Sequence, residues 1–587
     1  MATERKDTLY HLSTNAVIKN FSKLQNGLEF CPENILFDVV YQIYERKDID
    51  LLTSVLSHFG TFSKLLKIGD KRSRLHKMLQ ATIDKNKRGP DLLAQAFHQD
   101  IDMFLSKQPS RSHNSLQVSN SCKTLQFGFT LGGFFCEAGW YPAATTVHRA
   151  CVNILRRLNE TDSGYLFVKV ECLTKLLHSL SNYCQFSEAG NIYTELTSYV
   201  WEKELTPVTY PNLAYIYSEF SSYHFLKGDY KEAYKWAIDS IKLLSQNLPP
   251  KLTIDVLRQA SKSCVVKREF AKAEILVKQV VALSKSVYGP SHIKYADSLI
   301  DLGFYLLNVD CIAKSMQVYQ NALDVRRESF NGDNLQVALA HEDLAYATYV
   351  KEYSSGKFNG ARRHAEKSLA IMGKHLPADH LFLASSKRVL ALILEEIAID
   401  NQGQKVEKTL LAKAEELHLF ALNLAKLSFG ECNVQTAKHY GNLGRLYQTM
   451  ERYETAEKMH LKAIQIKETL LGPDDYEVAL SVGHLASLYN YDMKEYRKAE
   501  ELYLRSIKID KKLFGPGYSG LEYDYRGLIQ VYHETRDLDK YIQYRGVLDE
   551  WEMTRDARSA EQSGEFVVDE VSNFSLLDLM KTVSSIV

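Results

Sequence analysis

The chain has 587 residues, several times an ordinary domain of roughly 100–200 residues, so it divides into domains or repeats one unit many times. It carries only 29 glycines and 12 prolines, a little over half the usual joint frequency, against 35 tyrosines, which favours long helices and excludes a loop-rich sandwich. Its 72 Lys and Arg balance 72 Asp and Glu, so no global field draws it to nucleic acid or an anionic membrane.

In chain order, the N-terminus leads into no signal-peptide apolar core. The longest uncharged stretch, residues 205–218, falls short of the ~20 apolar residues of a spanning helix, so a soluble intracellular chain is expected. Leu9, Ser13 and Val17 stand at i, i+4 and i+8, one face of a helix. Pro32 at a first helical position and Glu33 in the first turn start a second helix carrying Ile35, Val39 and Ile43. These residues form either a face that a partner groove reads or the core stripe of a helical cap. Residues 64–88 form the one strongly basic run, a solvated helix face or a contact for an acidic partner. Residues 1–105 therefore read as a helical module, and 106–122 as a polar linker.

A repeat follows. Leu443-Gly444-Arg445-Leu446-Tyr447 recurs 42 residues later as Leu485-Ala486-Ser487-Leu488-Tyr489. Twelve or thirteen residues after each small residue comes Ala456-Glu457 or Ala499-Glu500, then a further small residue, Ala463 or Ser506, then a Gly-Pro turn. This is the tetratricopeptide layout, in which a small residue of helix A lets helix B of the same hairpin approach. The frame walks back through Ala391, Ala345, Gly303, Ala260 and Ser221 to Leu177 and Gly132. Residues 123–240 read as degenerate units, and 241–550 as regular units with a C-terminal cap. Residues 401–405 and 353–359 read as insertions, and 551–587 as a mostly disordered tail in which Phe574, Leu577, Met580 and Val583 have helical spacing. The predicted fold class is an all-α tetratricopeptide superhelical solenoid with an N-terminal helical adaptor-binding module.

No phosphate-binding glycine loop, nucleophile elbow or His-Glu-x-x-His occurs, and the nine cysteines include no Cys-x-x-Cys pair. Neither catalysis, a metal site, a disulfide nor a cofactor is expected.

The 42-residue unit resembles repeats of kinesin light chain type. Ala340-His-Glu-Asp-Leu-Ala345, Leu394-Glu-Glu-Ile-Ala-Ile-Asp400 and Val434-Gln-Thr-Ala-Lys-His-Tyr-Gly-Asn-Leu-Gly444 resemble the amyloid protein-binding protein 2 family, over about residues 8–550. The resemblance implies a substrate receptor of a cullin-2 RING ubiquitin ligase, docked through elongins B and C, that recognises C-terminal degrons containing Arg and Gly. It also implies binding to the cytoplasmic tail of the amyloid precursor protein, association with microtubules, and a cytoplasmic location with a nuclear pool. The rival expectation is a cargo or microtubule adaptor of kinesin light chain type. Within this family pattern Leu9, Ser13 and Val17 form an elongin-binding box, with Ser13 where the family has Cys. Pro32, Ile35 and Val39 match a cullin box, with Cys31 where the family has Leu.

The concave wall of such an array is lined by helix A, so registering each helix on its small residue selects the groove. Asp297, Asp301, Glu342, Asp343, Tyr346 and Glu395 gather at its middle, where two carboxylates could hold a degron guanidinium in fork geometry. Asn442 and Arg445 follow one unit on, and the Asn442 amide suits main-chain capture.

Overall fold

The computed structural model describes residues 9–20, 30–85, 88–106, 115–155, 165–245, 248–353 and 356–562. Every regular element among them is helical. The chain forms two compact units. The first comprises Met1–Leu205, Ser291–Lys294 and Asp324–Val337; the second comprises Thr206–Pro290, Tyr295–Leu323 and Ala338–Val587.

The first unit opens with six helices, α1 (Leu9–Lys19), α2 (Glu33–Glu45), α3 (Ile49–Ser57), α4 (Phe59–Leu66), α5 (Arg72–Lys85) and α6 (Gly89–Ser106). Helix α2 buries Leu36, Phe37, Val39, Val40 and Ile43, an apolar stripe at helical spacing. Phe62, Leu65 and Leu66 of α4 and Leu75, Met78 and Leu79 of α5 are buried likewise. Each such side chain contributes about 1.5–3 kcal/mol. The middle of the basic run is spent inside the unit. Lys71 Nζ lies 2.9 Å from Asp38, Arg72 Nε 2.6 Å from Glu137, and Arg74 stacks on the Tyr41 ring at 5.2 Å.

Hairpins follow: α7 (Ser115–Glu137) with α8 (Tyr141–Leu155), and α9 (Tyr165–Asn182) with α10 (Phe186–Glu202). Helix α7 starts at Ser115, so residues 115–122, predicted as linker, are helical; 107–114 lie outside the described residues.

The second unit continues with α11 (Leu213–Leu226) and α12 (Tyr230–Lys242), α13 (Pro250–Val266) and α14 (Phe270–Tyr288), α15 (Ile293–Asn308) and α16 (Ile312–Phe330), and α17 (Leu335–Glu352) and α18 (Asn359–His375). Then come α19 (Leu381–Asp400) and α20 (Lys405–Phe429), α21 (Val434–Thr449) and α22 (Tyr453–Leu471), α23 (Tyr476–Ser487) and α24 (Tyr496–Phe514), and α25 (Leu521–Glu534) and α26 (Leu538–Gln562). Helices α15 and α16 and the first residues of α17 cross the unit boundary. The predicted insertion at 401–405 is the tip of the longest hairpin, between helices of 20 and 25 residues. Residues 563–587, including the apolar spacing from Phe574 to Val583, lie outside the described residues.

The small-residue code has a cause that spacing alone does not reveal. A Cβ at Gly444 would meet the His460 ring at 2.8 Å, and one at Gly303 the Tyr319 ring at 2.6 Å. In the first unit a Cβ at Gly132 would meet His148 at 2.1 Å. Helix A thus offers a seat into which helix B lays a ring. Gly444→Ala is expected to destabilise the fold by about 1–3 kcal/mol through overpacking. Gly546→Ala in α26, where nothing lies within 4 Å, is expected to be neutral or stabilising. Urea unfolding of the two variants side by side checks both.

The second unit also absorbs a one-residue irregularity. Thirteen residues rather than twelve separate Ala486 from Ala499, and the extra residue is taken up by a π turn over Leu488–Asp492 that continues α23. The turn carries Asn490 to where its amide donates to the Gly527 carbonyl at 3.1 Å.

Contacts about two hundred residues apart in sequence close each unit on itself. In the first, Asn334 donates to the Ala138 carbonyl at 3.0 Å and Gln336 to the Tyr141 hydroxyl at 3.1 Å. In the second, Asn433 donates to the Lys227 carbonyl and Gln435 to the Tyr230 hydroxyl, each at 2.9 Å. Further along, Asp310 accepts from the Ser519 amide at 3.0 Å and hydroxyl at 2.7 Å, and pairs with Arg555. Apart from the Arg555 pair, each contact joins the turn inside one hairpin to a helix start five hairpins on.

Candidate functional site

Two surfaces carry the predicted residues. On α1, Thr14 and Ile18 are buried, and Tyr10 donates to Asp38 of α2 at 2.7 Å. That orientation leaves Leu9 81% and Leu12 51% exposed, with Ser13 exposed beside them and Val17 half-buried at the edge. On α2, Pro32 and Ile35 are exposed, whereas Val39 is 1% exposed and belongs to the module's own core. The outward surface of this segment is therefore Leu9, Leu12, Ser13, Pro32 and Ile35. Leu12 was missed by a reading tied to four-residue spacing.

In the second unit the predicted carboxylates fall on helix A, but most already have cations. Arg258 of α13 reaches Asp301 at 2.6 Å and Asp297 at 3.4 Å. Glu395, 1% exposed, receives both arms of Arg445, Nε at 3.2 Å and Nη2 at 3.0 Å. The same guanidinium lies 3.2 Å from Glu396 and donates to the Tyr349 hydroxyl at 3.1 Å, which in turn donates to Glu396 at 3.3 Å. Arg445, predicted as a ligand contact, is thus an internal partner tying α17, α19 and α21 together. Glu342 accepts from Ser385 of α19, and burial pushes its carboxyl up to about 7. Asp343 is half-buried beside it.

Tyr346 stacks on Tyr349 with centroids 6.2 Å apart, and the Arg388 guanidinium lies 5.5 Å over its ring. Asn442 is half-buried, and its side-chain nitrogen has no hydrogen-bond partner among the described residues. A buried donor in that state costs about 1–3 kcal/mol unless something fills it, which suits it to accept a main-chain carbonyl from outside.

Around Arg445 stand aromatic side chains that sequence reasoning passed over. Tyr353, just beyond α17, is 53% exposed, and Tyr523 of α25 is 42% exposed. Burial nonetheless raises both phenols, and both sense Arg445 electrostatically, as Tyr523 senses Tyr353. His484 of α23 meets Tyr523 edge-on at 6.1 Å. Tyr523 could have been found from its place in the Leu-Glu-Tyr-Asp-Tyr string that opens helix A of the last unit.

A run of helix hairpins with small residues at a fixed register, each seating a ring of its partner helix, defines a tetratricopeptide-repeat protein. The tetratricopeptide repeat family matches over residues 436–477. Amyloid protein-binding protein 2 of Rattus norvegicus and that of Mus musculus are each 48% identical over 550 residues, covering 94% of this chain and 92% of theirs. The chain belongs to the amyloid protein-binding protein 2 family.

Among solved structures, a Rap protein complexed with competence and sporulation factor is similar at 13% identity, covering 67% of this chain and 99% of its own, with a TM-score of 0.48. A putative kinesin light chain repeat protein of Podosopora anserina is similar at 17% identity, covering 38% and 97%, with a TM-score of 0.27. Among the described residues no helix is long and apolar enough to cross a membrane.

Proposed function

We propose that the chain is the substrate-recognition subunit of a cullin-2 RING ubiquitin ligase, binding C-terminal degrons that contain Arg and Gly along the inner wall of the second unit. The observation that carries this reading is α1, a helix anchored by Thr14 and Ile18 that turns Leu9 and Leu12 to solvent. Two large aliphatic side chains presented one turn apart match what a hydrophobic groove of an adaptor takes up. Elongins B and C engage Leu9, Leu12 and Ser13, and cullin-2 engages Pro32 and Ile35. Val39 supports that surface from beneath. The ligand's backbone is taken by Asn442, and its charged side chains by the wall between α17 and α25. The chain itself contributes binding, and ubiquitin transfer belongs to its partners, in the cytoplasm and a nuclear pool.

Leu9→Ala with Pro32→Ala in the full chain is expected to abolish co-purification of elongin C and cullin-2 while leaving the melting temperature unchanged, since both side chains are exposed. Unaltered recovery of both partners would sink the adaptor assignment. A second reading, a cargo adaptor for sorting signals such as the amyloid precursor protein tail, is favoured by the name that the 48% identical relatives carry. On that reading the double variant still captures the tail peptide and has lost nothing else.

A further inference from the structure

Helix α26 ends the run of hairpins in the second unit, and its outward face is not that of an end left to water. Leu548 and Trp551 are buried as Ser506 and Ile509 of α24 are, 42 residues earlier, so the two helices share one register. In α24, the side that receives the next hairpin is marked by three contacts to α25. Glu500 accepts from the Tyr532 hydroxyl at 2.9 Å, Lys511 stands 5.5 Å over the Tyr525 ring, and Tyr503 occupies the seat at Gly527. One hairpin earlier, Glu457 accepts from the Tyr489 hydroxyl at 2.6 Å in the same way. In α26 the positions equivalent to Glu500, Lys511 and Tyr503, again 42 residues on, are Ile542, Met553 and Arg545. Ile542 is 62% and Met553 75% exposed, Leu538 is exposed one turn before them, and Arg545 makes no salt bridge among the described residues. A repeat array that ends in water carries a polar outer face. Here the Glu and Lys of α24 are replaced by Ile and Met at the two places where a following helix would lie.

We infer that the chain's own segment 563–587 folds back to cover this face of α26, setting Phe574, Leu577, Met580 and Val583 against Leu538, Ile542 and Met553. Position, length and charge single out this occupant. The segment follows Gln562 directly, and residues 563–573 reach up to ~36 Å when extended. Met553 lies only ~14 Å back along the helix from Gln562, so the connection is ample. At helical rise the four apolar positions span ~14 Å, against ~16 Å from Ile542 to Met553. The segment carries Glu565, Asp569, Glu570 and Asp578 against the single Lys581, so it brings net negative charge to Arg545. None of these residues belongs to the adaptor face or to the wall that the degron reading uses, so the inference stands apart from both.

Hydrogen exchange on the full chain, read by mass spectrometry beside a synthetic peptide of residues 566–587, tests it. Amides of 574–583 are expected to exchange about ten-fold or more slowly in the chain than in the free peptide. Ile542→Asp with Met553→Asp should abolish that protection, and Ile542→Val with Met553→Leu should keep it. Phe574→Asp with Leu577→Asp should abolish it from the other side of the contact. Ile542 and Met553 are exposed, so amides of α21 and α22 should keep wild-type exchange in every variant. Should the aspartates in α26 disturb those helices, the pair at Phe574 and Leu577, which lies off the array, decides alone.

Exchange of 574–583 as fast as in the free peptide, or protection that survives both aspartate pairs, overturns the inference. Protection lost on about hundred-fold dilution of the chain assigns the face to a second copy and overturns it as well, because a contact within one chain does not depend on concentration.

Discussion

Arg445→Ala should destabilise the protein by about 3–5 kcal/mol, the largest loss expected of any single substitution on the inner wall. Glu395 is almost wholly buried, and its two oxygens take both arms of that guanidinium, so truncation leaves a carboxylate with neither water nor cation. The Tyr349 hydroxyl and Glu396 lose a partner in the same step. Arg445→Lys should recover only part of the loss, since a point charge cannot span the fork. Arg445→Met combined with Glu395→Gln and Glu396→Gln should recover most of it, because the stranded charges are then gone. Urea midpoints for the three variants distinguish a charge-pairing role from simple packing, which the triple variant would not rescue.

Asp310→Ala is the second, on the order of 2–4 kcal/mol. Its side chain is 2% exposed and accepts from the Ser519 amide and hydroxyl while pairing with Arg555 of the last helix. Asp310 also holds a left-handed backbone at φ 65°, which Asn adopts more readily than Ala. Asp310→Asn should therefore lose less than half as much. Hydrogen exchange gives a readout that a generic loss would not: the amides of 517–520 and of the second half of α26 should open first, well before those of α21 and α22.

What could be read from the sequence was whatever repeats locally. The period placed the hairpins, the Gly-Pro turns placed Gly472 and Gly515, found at φ 94° and 80°, and the register placed Asp301, Glu342 and Glu395 on the first helices of their hairpins. What could not be read directly is pairing between units. Arg258 meets Asp301 43 residues on, one period away at the same register, so aligning opposite charges between neighbouring units would have found it. Arg445 meets Glu395 across the lengthened hairpin, where the period breaks and no such alignment holds. Val39 belongs to the stripe Leu36, Val39, Val40 and Ile43, a core signal that outweighed the box pattern once α2 had a neighbour to pack on. The Asn-x-Gln pairs at 334–336 and 433–435 recur at helix starts and touch turns five hairpins earlier, a contact that local periodicity does not encode.

Those turn-to-helix contacts change how the second unit should melt. An open array of hairpins behaves as a one-dimensional chain whose ends fray independently, because each hairpin touches only its neighbours. Here Lys227 with Asn433, Arg268 with Asp475 and Asp310 with Ser519 add couplings that reach the fifth hairpin on, so an end hairpin cannot loosen without releasing one in the middle. Cooperativity spreads over the lattice of both kinds of contact. The unit is then a single folding block with one transition, and side chains carried on its first helices keep their spacing to within the stiffness of the whole.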